Sequence, residues 1–456
     1  MNKTVVINVV GLSRRLIGEH TPFIQEYAQK GQLLTVKPAF PAVTCTAQST
    51  YLTGRLPADH GIVGNGWYFK DEAEVKFWRQ SNRLVQAEKI WERLKREDTE
   101  FSCANLFWWY NMYSSADYSV TPRPNYLADG RKIPDVYSHP PELRDRLQTE
   151  LGRFPLFQFW GPKTSIRSSQ WIADAAIKTD KLYDPTLTLI YLPHLDYNLQ
   201  RFGNNIKLIE KDLKEIDRVV AQLVTYYAER GCNALLLSEY GITDVSRPVH
   251  LNRVLREKDF LAIRLERGLE LLDAGASKAF AVADHQIAHI YCKDSLLLPE
   301  VKTLLEAQDG VEKVLITKDT KELNHDRAGD LIVIAEPDAW FTYYYWLDDK
   351  KAPDFAQTVD IHRKPGYDPV EMFTDPGKRL IFLRVLGKLL KKKLGFRTLM
   401  DIIPLDANLV RGSHGRIPDD PVDFPIFISG SPGLGGQQNI DATDVYELIY
   451  RQITSI

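Results

Sequence analysis

Short apolar runs alternate along this chain with longer segments of helical periodicity. The first run, residues 5–10, precedes a segment that opens at Thr21-Pro22 and closes at Gly31, with proline at the first helical position and glycine after the last. Further runs of strand length follow, mostly separated by helical pattern: 101–108, 186–192, 234–238, 331–335 and 424–429. Because buried strands separated by helices are typical of parallel sheets, we predict an α/β fold with a central, mostly parallel sheet flanked by helices.

The pattern changes between residues 261 and 317. Shorter strand-like pieces occur at 279–283, 287–292 and 314–317, with one helical stretch at 299–307. We therefore predict a small inserted α+β subdomain over 261–317, and a core made of 1–260 and 318–456.

Composition and charge limit the partners. The 456 residues are 44% apolar, and 58 Lys and Arg nearly balance 60 Asp and Glu, for a formal net charge of −2. No global field favours a nucleic acid polymer, so an anionic ligand must be attracted locally. No run reaches the roughly 20 apolar residues of an integral membrane segment. The four cysteines show no zinc or disulfide spacing, and residues 5–10 are interpreted as a strand, not a signal, so we expect a cytoplasmic protein.

Residues 381–394 form a basic amphipathic pattern. Phe382, Val385, Leu386, Leu389 and Leu390 share one predicted face, and the lysines at 388 and 391–393 lie elsewhere. An ordinary solvated surface helix is one interpretation, and contact with a membrane interface is the other.

Two aromatic runs and a pair of histidines permit structural and functional interpretations. Residues 107–113 and 340–346 suit either core packing or the lining of a pocket that stacks a ring. His285 and His289 have a spacing that suits zinc on a helix, but their neighbours alternate as in a strand. A structural role is therefore the alternative.

The segment 41–65 combines a hydroxyl, a helix start and a later His-Gly. Thr44 stands after Pro41-Ala42-Val43 and before a helical stretch that ends at Gly54. Backbone N–H groups and the positive end of a helix dipole would favour a phosphoryl group beside Thr44. A plain N-capping threonine is the alternative.

This segment resembles the nucleophile region of the alkaline phosphatase superfamily, in its nucleotide pyrophosphatase/phosphodiesterase branch. Shared features are Pro-x-x-Thr, a helix, Thr-Gly, Pro, His-Gly-Ile and an asparagine. The resemblance implies that Thr44 is the nucleophile and that Asn65 helps to hold a phosphate oxygen. It also implies an alkaline phosphatase-like core.

Metal ligands are the second expectation from the resemblance. Two-metal sites need carboxylates and imidazoles at strand ends. Asp196 matches the family's aspartate after its strand, and Glu239 stands where the family has another aspartate. For the last ligand there are two rivals, His362 in the 360–371 segment and His414 in Gly412-Ser413-His414-Gly415, of which we favour His414. Three family donors are replaced here, by Val10, Gln200 and Tyr240.

These residues predict a metal-dependent hydrolase with Thr44 as nucleophile, acting on a phosphodiester, a pyrophosphate or a related phosphoryl ester of a small metabolite. The expected cofactor is a divalent metal, zinc for preference, bound by Asp196, Glu239, His362 and His414, as one ion rather than two. One alternative is a catalytically degenerate relative that binds a phosphorylated ligand. The other is a phosphonate or phosphomonoester hydrolase. Oligomerisation is left open.

Overall fold

The computed structural model describes residues 1–378, 380–430 and 438–454, without the side chain of Phe382. The main feature of the described residues is a central sheet of nine strands. In spatial order the strands are Asn439–Asp441, Gln32–Lys37, Ile426–Ser429, Asn233–Leu237, Thr4–Val9, Leu187–Leu192, Cys103–Leu106, Tyr118–Pro122 and Val136–His139. Ile426–Ser429 and Val136–His139 run antiparallel to their neighbours and the other pairs are parallel. The predicted α/β fold with a mostly parallel sheet is confirmed.

Helices cover both faces of this sheet. Ile166–Tyr183 and Ile206–Glu229 pack on the strands, and Thr44–Thr53 packs against Asp444–Thr454. The periodic apolar positions of these helices are buried in one large core with the strands. The helices are Pro22–Lys30, Thr44–Thr53, Pro57–His60, Ile90–Glu97, Pro141–Leu151, Leu156–Phe159, Ile166–Tyr183, His194–Phe202, Ile206–Glu229, Leu251–Glu257, Leu298–Glu306, Ile381–Lys393 and Asp444–Thr454.

A second, antiparallel sheet lies in the region predicted as an insertion. Its strands, in spatial order, are Ala279–Asp284, Ile287–Cys292, Leu331–Ala335 and Val311–Ile316. Helix Leu298–Glu306 packs on Val311–Ile316, and the sheet has its own apolar core. The boundary at residue 317 stays a prediction.

The strand Leu331–Ala335 is placed differently from the prediction. The sequence pattern assigned it to the central sheet, whereas it pairs with Ile287–Cys292 and Val311–Ile316. An apolar run buried on both faces has the same appearance in either sheet, so the pattern cannot tell which sheet it joins.

Five two-stranded ribbons and a basic helix complete the description. The ribbons are Gly66–Phe69 with Glu74–Phe77, Asn125–Tyr126 with Lys132–Ile133, Thr243–Asp244 with Gly412–Ser413, Arg247–Val249 with Ala339–Phe341, and Ile263–Glu266 with Leu269–Leu272. The predicted amphipathic segment is the helix Ile381–Lys393. The predicted place of Phe382 on its apolar face concerns a side chain that lies outside the described residues. None of the described helices combines the length and apolar character needed to cross a membrane.

Candidate active site

Three parallel strands of the central sheet end at one edge. Thr4–Val9 lies between Leu187–Leu192 and Asn233–Leu237, with Val9 opposite Leu192 and Asn8 opposite Leu237. The residues that follow these strands therefore meet, as ligand-binding residues do at the carboxyl ends of strands in open α/β sheets. Asp196, Tyr240 and Thr44, at the start of its helix, line one cleft there.

A hydrogen-bonded series of oxygens joins Thr44 to a buried carboxylate. Thr44 Oγ1 lies 3.1 Å from Tyr240 Oη, and Tyr240 Oη donates to Asp196 Oδ1 at 3.1 Å. Because the single phenolic proton of Tyr240 goes to Asp196, the Thr44 hydroxyl must donate to Tyr240. We call these three residues the hydroxyl relay. It connects the predicted nucleophile to a proton acceptor.

Asp196 is an unusually basic carboxylate. Burial raises its pKa to about 6, although hydrogen bonds from Gln200 and Tyr240 oppose the rise. Gln200 Nε2 donates to Asp196 Oδ2 at 2.8 Å, and Tyr367 donates to the other end of the same amide at 3.1 Å. Gln200 therefore holds Asp196 from the position where the family has histidine.

Glu239 lies next to the relay, and two side-chain amides donate hydrogen bonds to it. Its Oε1 accepts hydrogen bonds from Asn8 Nδ2 and Gln48 Nε2, each at 2.5 Å. Gln48 Oε1 in turn accepts from the backbone N–H of Trp109 at 2.7 Å, which fixes the orientation of the Gln48 amide. Burial raises the pKa of Glu239 to about 8, so the carboxyl is largely protonated at neutral pH.

His414 faces Asp196 with one free ring nitrogen. Its Nδ1 donates to the carbonyl of Ala42 at 2.7 Å, which leaves Nε2 as an acceptor, 4.0 Å from Asp196 Oδ1. Among the described residues this Nε2 has no hydrogen-bond partner. Burial lowers the pKa of His414 to about 3, so the ring is neutral. Tyr240 and His285 stack on it, each with ring centroids at 3.6 Å.

His362, the rival of His414, is exposed and lines the outer part of the cleft. In the described part of the chain it makes no hydrogen bond or ion pair with Asp196, Glu239 or His414. The carboxylates that follow it are engaged elsewhere, because the buried Lys364 ammonium lies 2.8 Å from Asp368 and 2.7 Å from Glu371. The structure therefore brings His414, and not His362, to Asp196.

Asn65 lies behind Thr44, only 1% exposed. Its Oδ1 accepts from the backbone N–H of Cys45 at 3.0 Å, and its Nδ2 donates to Asp284 Oδ1 at 3.0 Å. The backbone N–H of Asn65 donates to Asp284 Oδ2 at 2.8 Å. Burial raises the pKa of Asp284 to about 7. Asn65 thus fixes the start of the Thr44 helix. It is not among the described residues that line the cleft, so its contact with a phosphate oxygen stays a prediction.

The cleft above Thr44 is large, about 1730 Å³, and combines aromatic walls with a cationic rim. From the first aromatic run, Trp109, Met112 and Tyr113 line it, which agrees with the pocket interpretation. The second run is buried in the core of the second sheet, as the packing interpretation expects. Cationic lining residues are Arg79, Arg123, Arg131, Lys132, Arg153, Lys163, Arg363, Lys392 and Lys393. These cations provide the local attraction for an anion that the net charge does not.

The two histidines of the second sheet have separate structural contacts. His289 Nε2 lies 3.0 Å from the carbonyl of Val63, and its Nδ1 accepts from the backbone N–H of Gly329 at 3.1 Å. His285 stacks between Tyr367 and His414. The two rings do not form a zinc pair, because the residues belong to a hairpin and not to a helix.

The sequence pattern did not predict the contacts that four residues make at this site: Gln48, Asp284, Lys364 and Tyr367. Gln48 contacts a residue 191 positions away, and Asp284 contacts one 219 positions away. Local spacing carries no signal for such pairs. The one sign that Gln48 has a buried partner is the high polar content of a buried helix, where five of the seven residues 44–50 are Thr, Ser or Gln.

Residues 4–368 match the family model described as type I phosphodiesterase / nucleotide pyrophosphatase. The chain belongs to this family. In the curated proteins it is similar to ectonucleotide pyrophosphatase/phosphodiesterase 2 of Saccharomyces cerevisiae, 23% identical over 265 residues, which cover 53% of this chain and 48% of the yeast protein. Ectonucleotide pyrophosphatase/phosphodiesterase 1 of the same yeast is 24% identical over 58% of this chain and 36% of its own length. The chain thus aligns with about half, or less, of these relatives.

Solved structures of the phosphodiesterase family and its superfamily share the fold. Murine ectonucleotide pyrophosphatase/phosphodiesterase 5, an inactive variant in complex with AMP, has a TM-score of 0.60 and 14% identity, covering 100% of this chain and 95% of that one. Phosphonoacetate hydrolase from Sinorhizobium meliloti 1021, in complex with phosphonoformate, has a TM-score of 0.62 and 14% identity, covering 99% and 95%. The alkaline phosphatase-like fold is therefore shown.

The phosphodiesterase family is metal-dependent, generally with zinc. The donors here do not fit two ions, because the positions of three family ligands carry Val10, Gln200 and Tyr240, and the phenol of Tyr240 lies between Thr44 and Asp196. They do fit one ion, since His414 turns an unpaired Nε2 toward Asp196 and donates its other nitrogen to a carbonyl, the usual support of a metal-binding histidine.

His194, two residues before Asp196, has its ring partners away from this ion position. Its Nε2 lies 3.2 Å from Asp212 Oδ1 and 3.3 Å from Glu215 Oε2, both on the helix Ile206–Glu229. Within the described residues, these three form the one group of three possible ligands with all donor atoms within 4.8 Å. The cluster is separate from the hydroxyl relay.

Proposed function

We propose that this chain hydrolyses a phosphodiester, a pyrophosphate or a related phosphoryl ester of a small metabolite, with Thr44 as the nucleophile. The observation that carries the proposal is the hydroxyl relay, which ends at a carboxylate with a raised pKa at the base of a cleft with a cationic rim. A nucleophile paired with a base is the common arrangement for covalent catalysis by a hydroxyl.

The relay accounts for the first chemical step. The Thr44 oxygen attacks phosphorus while its proton passes to Tyr240, and the phenolic proton of Tyr240 passes to Asp196. The bond between phosphorus and the leaving oxygen breaks on the side opposite to Thr44, and that oxygen takes its proton from solvent water. Water then attacks phosphorus from the same side and gives up a proton to solvent, while protonated Asp196 returns its proton through Tyr240 to the departing Thr44 oxygen. Because Asp196 must be ionised to accept the proton, the rate should fall as the pH drops through about 6.

Asp196 and His414 are the residues that would hold a divalent ion, zinc for preference. A cation there supplies Lewis-acid charge beside Thr44 and the developing negative oxygen. Asn65 holds the loop from behind Thr44 through its contacts with Cys45 and Asp284. Glu239 has Oε1 occupied by two amides, but its buried Oε2 has no hydrogen-bond partner among the described residues, so this oxygen would be its ligand atom.

The substrate class follows from the cleft. Its cations match a phosphoryl group, and aromatic walls formed by Trp78, Trp109 and Trp160 match an apolar or aromatic group on the other side of the ester. AMP in the murine neighbour is a ligand of that kind. Phosphonoformate in the bacterial neighbour keeps a phosphonate substrate as the second candidate within enzymes. The cytoplasmic location expected from the sequence is part of the proposal.

A catalytically degenerate relative that binds a phosphorylated ligand is the rival function. The observation that favours it is the replacement of three family donors by Val10, Gln200 and Tyr240. Such a protein would keep the cationic cleft and lose turnover.

One experiment separates these functions. Turnover of chromogenic nucleotide diesters, monoesters and phosphonate esters should be measured for the wild type, Thr44→Ala and the matched control Thr44→Ser, together with elemental analysis. We expect Thr44→Ala to lose at least about a thousandfold in kcat and Thr44→Ser to keep a measurable part. Binding of AMP without turnover of any ester would instead establish the rival.

Metal content is assigned with two further variants. Asp196→Asn should remove a stoichiometric ion that belongs to the site, and His194→Gln should leave it. The reverse result would place the metal at the cluster of His194, Asp212 and Glu215, outside the proposed site.

A further inference from the structure

The helix Ile381–Lys393 turns an apolar stripe away from the protein. Leu383, Leu386, Leu390 and Leu394 follow one another at intervals of three or four residues, which places them on one face. They are 56%, 54%, 58% and 66% exposed. A Cβ added at Gly387, within the same stripe, would meet nothing within 4 Å, so this face is uncovered.

The opposite face of the helix belongs to the cleft. Ile381, Val385 and Leu389 line its wall, together with Lys392. Leu386, at the border between the two faces, also lines the cleft, whereas Leu383, Leu390 and Leu394 do not. The helix is thus amphipathic in a different sense from the sequence prediction: one side closes the cleft, and the outer side presents leucines where a solvated helix has polar residues.

Exposed apolar side chains are concentrated here. Eight of the eighteen exposed large apolar side chains among the described residues lie between 380 and 399. Beyond the four of the stripe, they are Leu380, Leu389, Phe396 and Leu399. A contiguous exposed patch of this kind marks a contact with a partner or a membrane, whereas single exposed leucines are ordinary. We call residues 380–399 the leucine patch.

The leucine patch is also strongly basic. Residues 380–400 contain Arg384, Lys388, Lys391, Lys392, Lys393 and Arg397 and no acidic residue, in a chain with a net charge of −2. Arg384 and Lys388 pair with Asp401 at the edge of the patch. Lys391 and Lys393 flank the stripe on opposite sides of the helix, and Lys392 between them faces the cleft.

These observations select the occupant. Basic side chains beside an exposed leucine stripe are complementary to an anionic lipid surface, where each cation contributes about 1 kcal/mol and the leucines enter the acyl boundary. A second copy of the chain is less suitable, because two identical patches would bring like charges together without an acidic partner. This helix does not cross the membrane, because its 13 residues are too few to span a bilayer.

We propose that the leucine patch docks the protein on an anionic lipid surface. The helix then lies in the plane of the interface, with its outer leucines in the lipid and the cleft beside it opening near the surface. This proposal concerns localisation to a surface and does not depend on hydrolysis.

The test is co-sedimentation with vesicles of phosphatidylcholine alone and of phosphatidylcholine with phosphatidylglycerol, using the full chain. We expect binding to the anionic vesicles at least about tenfold tighter than to the neutral ones, and weaker binding as salt is added. Leu383→Glu with Leu390→Glu should lower the anionic binding at least about tenfold. Neither leucine lines the cleft, so turnover of a soluble ester should stay unchanged.

A matched control carries the same added charge elsewhere. Leu265 and Leu296 are 68% and 83% exposed outside the patch, and Leu265→Glu with Leu296→Glu should leave vesicle binding at the wild-type level. Circular dichroism confirms that both double variants are folded. The proposal is overturned if the wild type ignores anionic vesicles, or if the control pair loses binding equally. It is also overturned if sedimentation velocity shows a dimer that only the patch variant dissociates.

Discussion

The Thr44 loop and the neighbouring strand ends form one cleft, but they are held together in different ways. The loop has several contacts within residues 42–65, such as Thr46 Oγ1 to the carbonyl of Ile62 at 3.0 Å and Asn65 to Cys45, in addition to the distant contact of Asn65 with Asp284. At the strand ends, Glu239 and Tyr240 are fixed by partners far away in the sequence, including Gln48 and Thr44. The loop follows the family pattern, and the strand ends do not.

The difference shows how a buried anionic site can be stabilised with fewer metal ligands. In a two-metal site, cations balance the carboxylates. Here amides of Asn8 and Gln48 donate to Glu239, and Gln200 and Tyr240 donate to Asp196. Hydrogen bonds balance charge less completely than cations do, so burial still raises both carboxyl pKa values.

The largest effect on kcat in this comparison of the loop with the strand ends is expected for Tyr240→Phe. The variant removes the oxygen between Thr44 and Asp196 and keeps the ring that stacks on His414. If the relay moves the Thr44 proton, kcat should fall by about 100- to 1000-fold with little change in KM, as for the loss of a general base. Steady-state kinetics on a diester substrate measures this.

Tyr51→Phe is the matched control for that variant. Tyr51 is equally buried and donates only to the carbonyl of Ser238, at 2.9 Å. It should lose about 1 kcal/mol of stability and little activity. Equal kinetic losses in both variants would mean that Tyr240 acts only through packing.

The next prediction concerns the zinc affinity of the residues at the strand ends. Gln200→His restores the family residue beside Asp196 and His414 and completes three protein donors, the usual number in catalytic zinc sites. We expect zinc affinity to rise on the order of 100-fold, measured by competition with a chromogenic chelator. Combining the change with His414→Ala should abolish the gain. An unchanged affinity in Gln200→His would show that the hydrogen-bond network excludes the ion.

The same division explains what the sequence could and could not predict. The α/β order and most strands follow from apolar runs, and the Thr44 loop follows from contiguous residues. The prediction that Leu331–Ala335 joins the central sheet was wrong. A local run of apolar residues indicates a strand but does not identify the strand with which it pairs. The roles of Gln48, Asp284 and Lys364 escaped for the same reason. The sequence pattern favoured His414 over His362 as a ligand, and the structure places the His414 ring beside Asp196. The role of either histidine as a metal ligand stays a prediction.

A smaller effect is expected in the pH dependence of stability. Glu239 has a folded pKa near 8, above its ordinary value, so the folded state holds a proton that the unfolded state has lost. Its contribution to stability is therefore complete at low pH and is lost as the pH rises through about 8. Glu239→Gln does not titrate, so its stability relative to the wild type should increase by about 3 kcal/mol between pH 5 and pH 8.

Denaturant unfolding at the two pH values measures this shift. Glu270→Gln is the control, because Glu270 is also buried but pairs with the Arg256 guanidinium. Its loss should be similar at both pH values. A Glu239→Gln variant that loses the same free energy at pH 5 and pH 8 would contradict the picture of a protonated Glu239.

The smallest effect is expected for a variant in the Thr44 loop that should lower stability and leave kcat almost unchanged. Thr46→Val keeps the shape of a fully buried side chain two residues from Thr44 and removes its hydrogen bond to the carbonyl of Ile62. Unfolding free energy should fall by about 1 kcal/mol, because one buried acceptor loses its partner. The kcat should change less than twofold, since the other contacts of Asn65 and Cys45 still hold the start of the helix. A large kinetic loss without a stability change would mean that Thr46, and not only the relay, takes part in the chemistry.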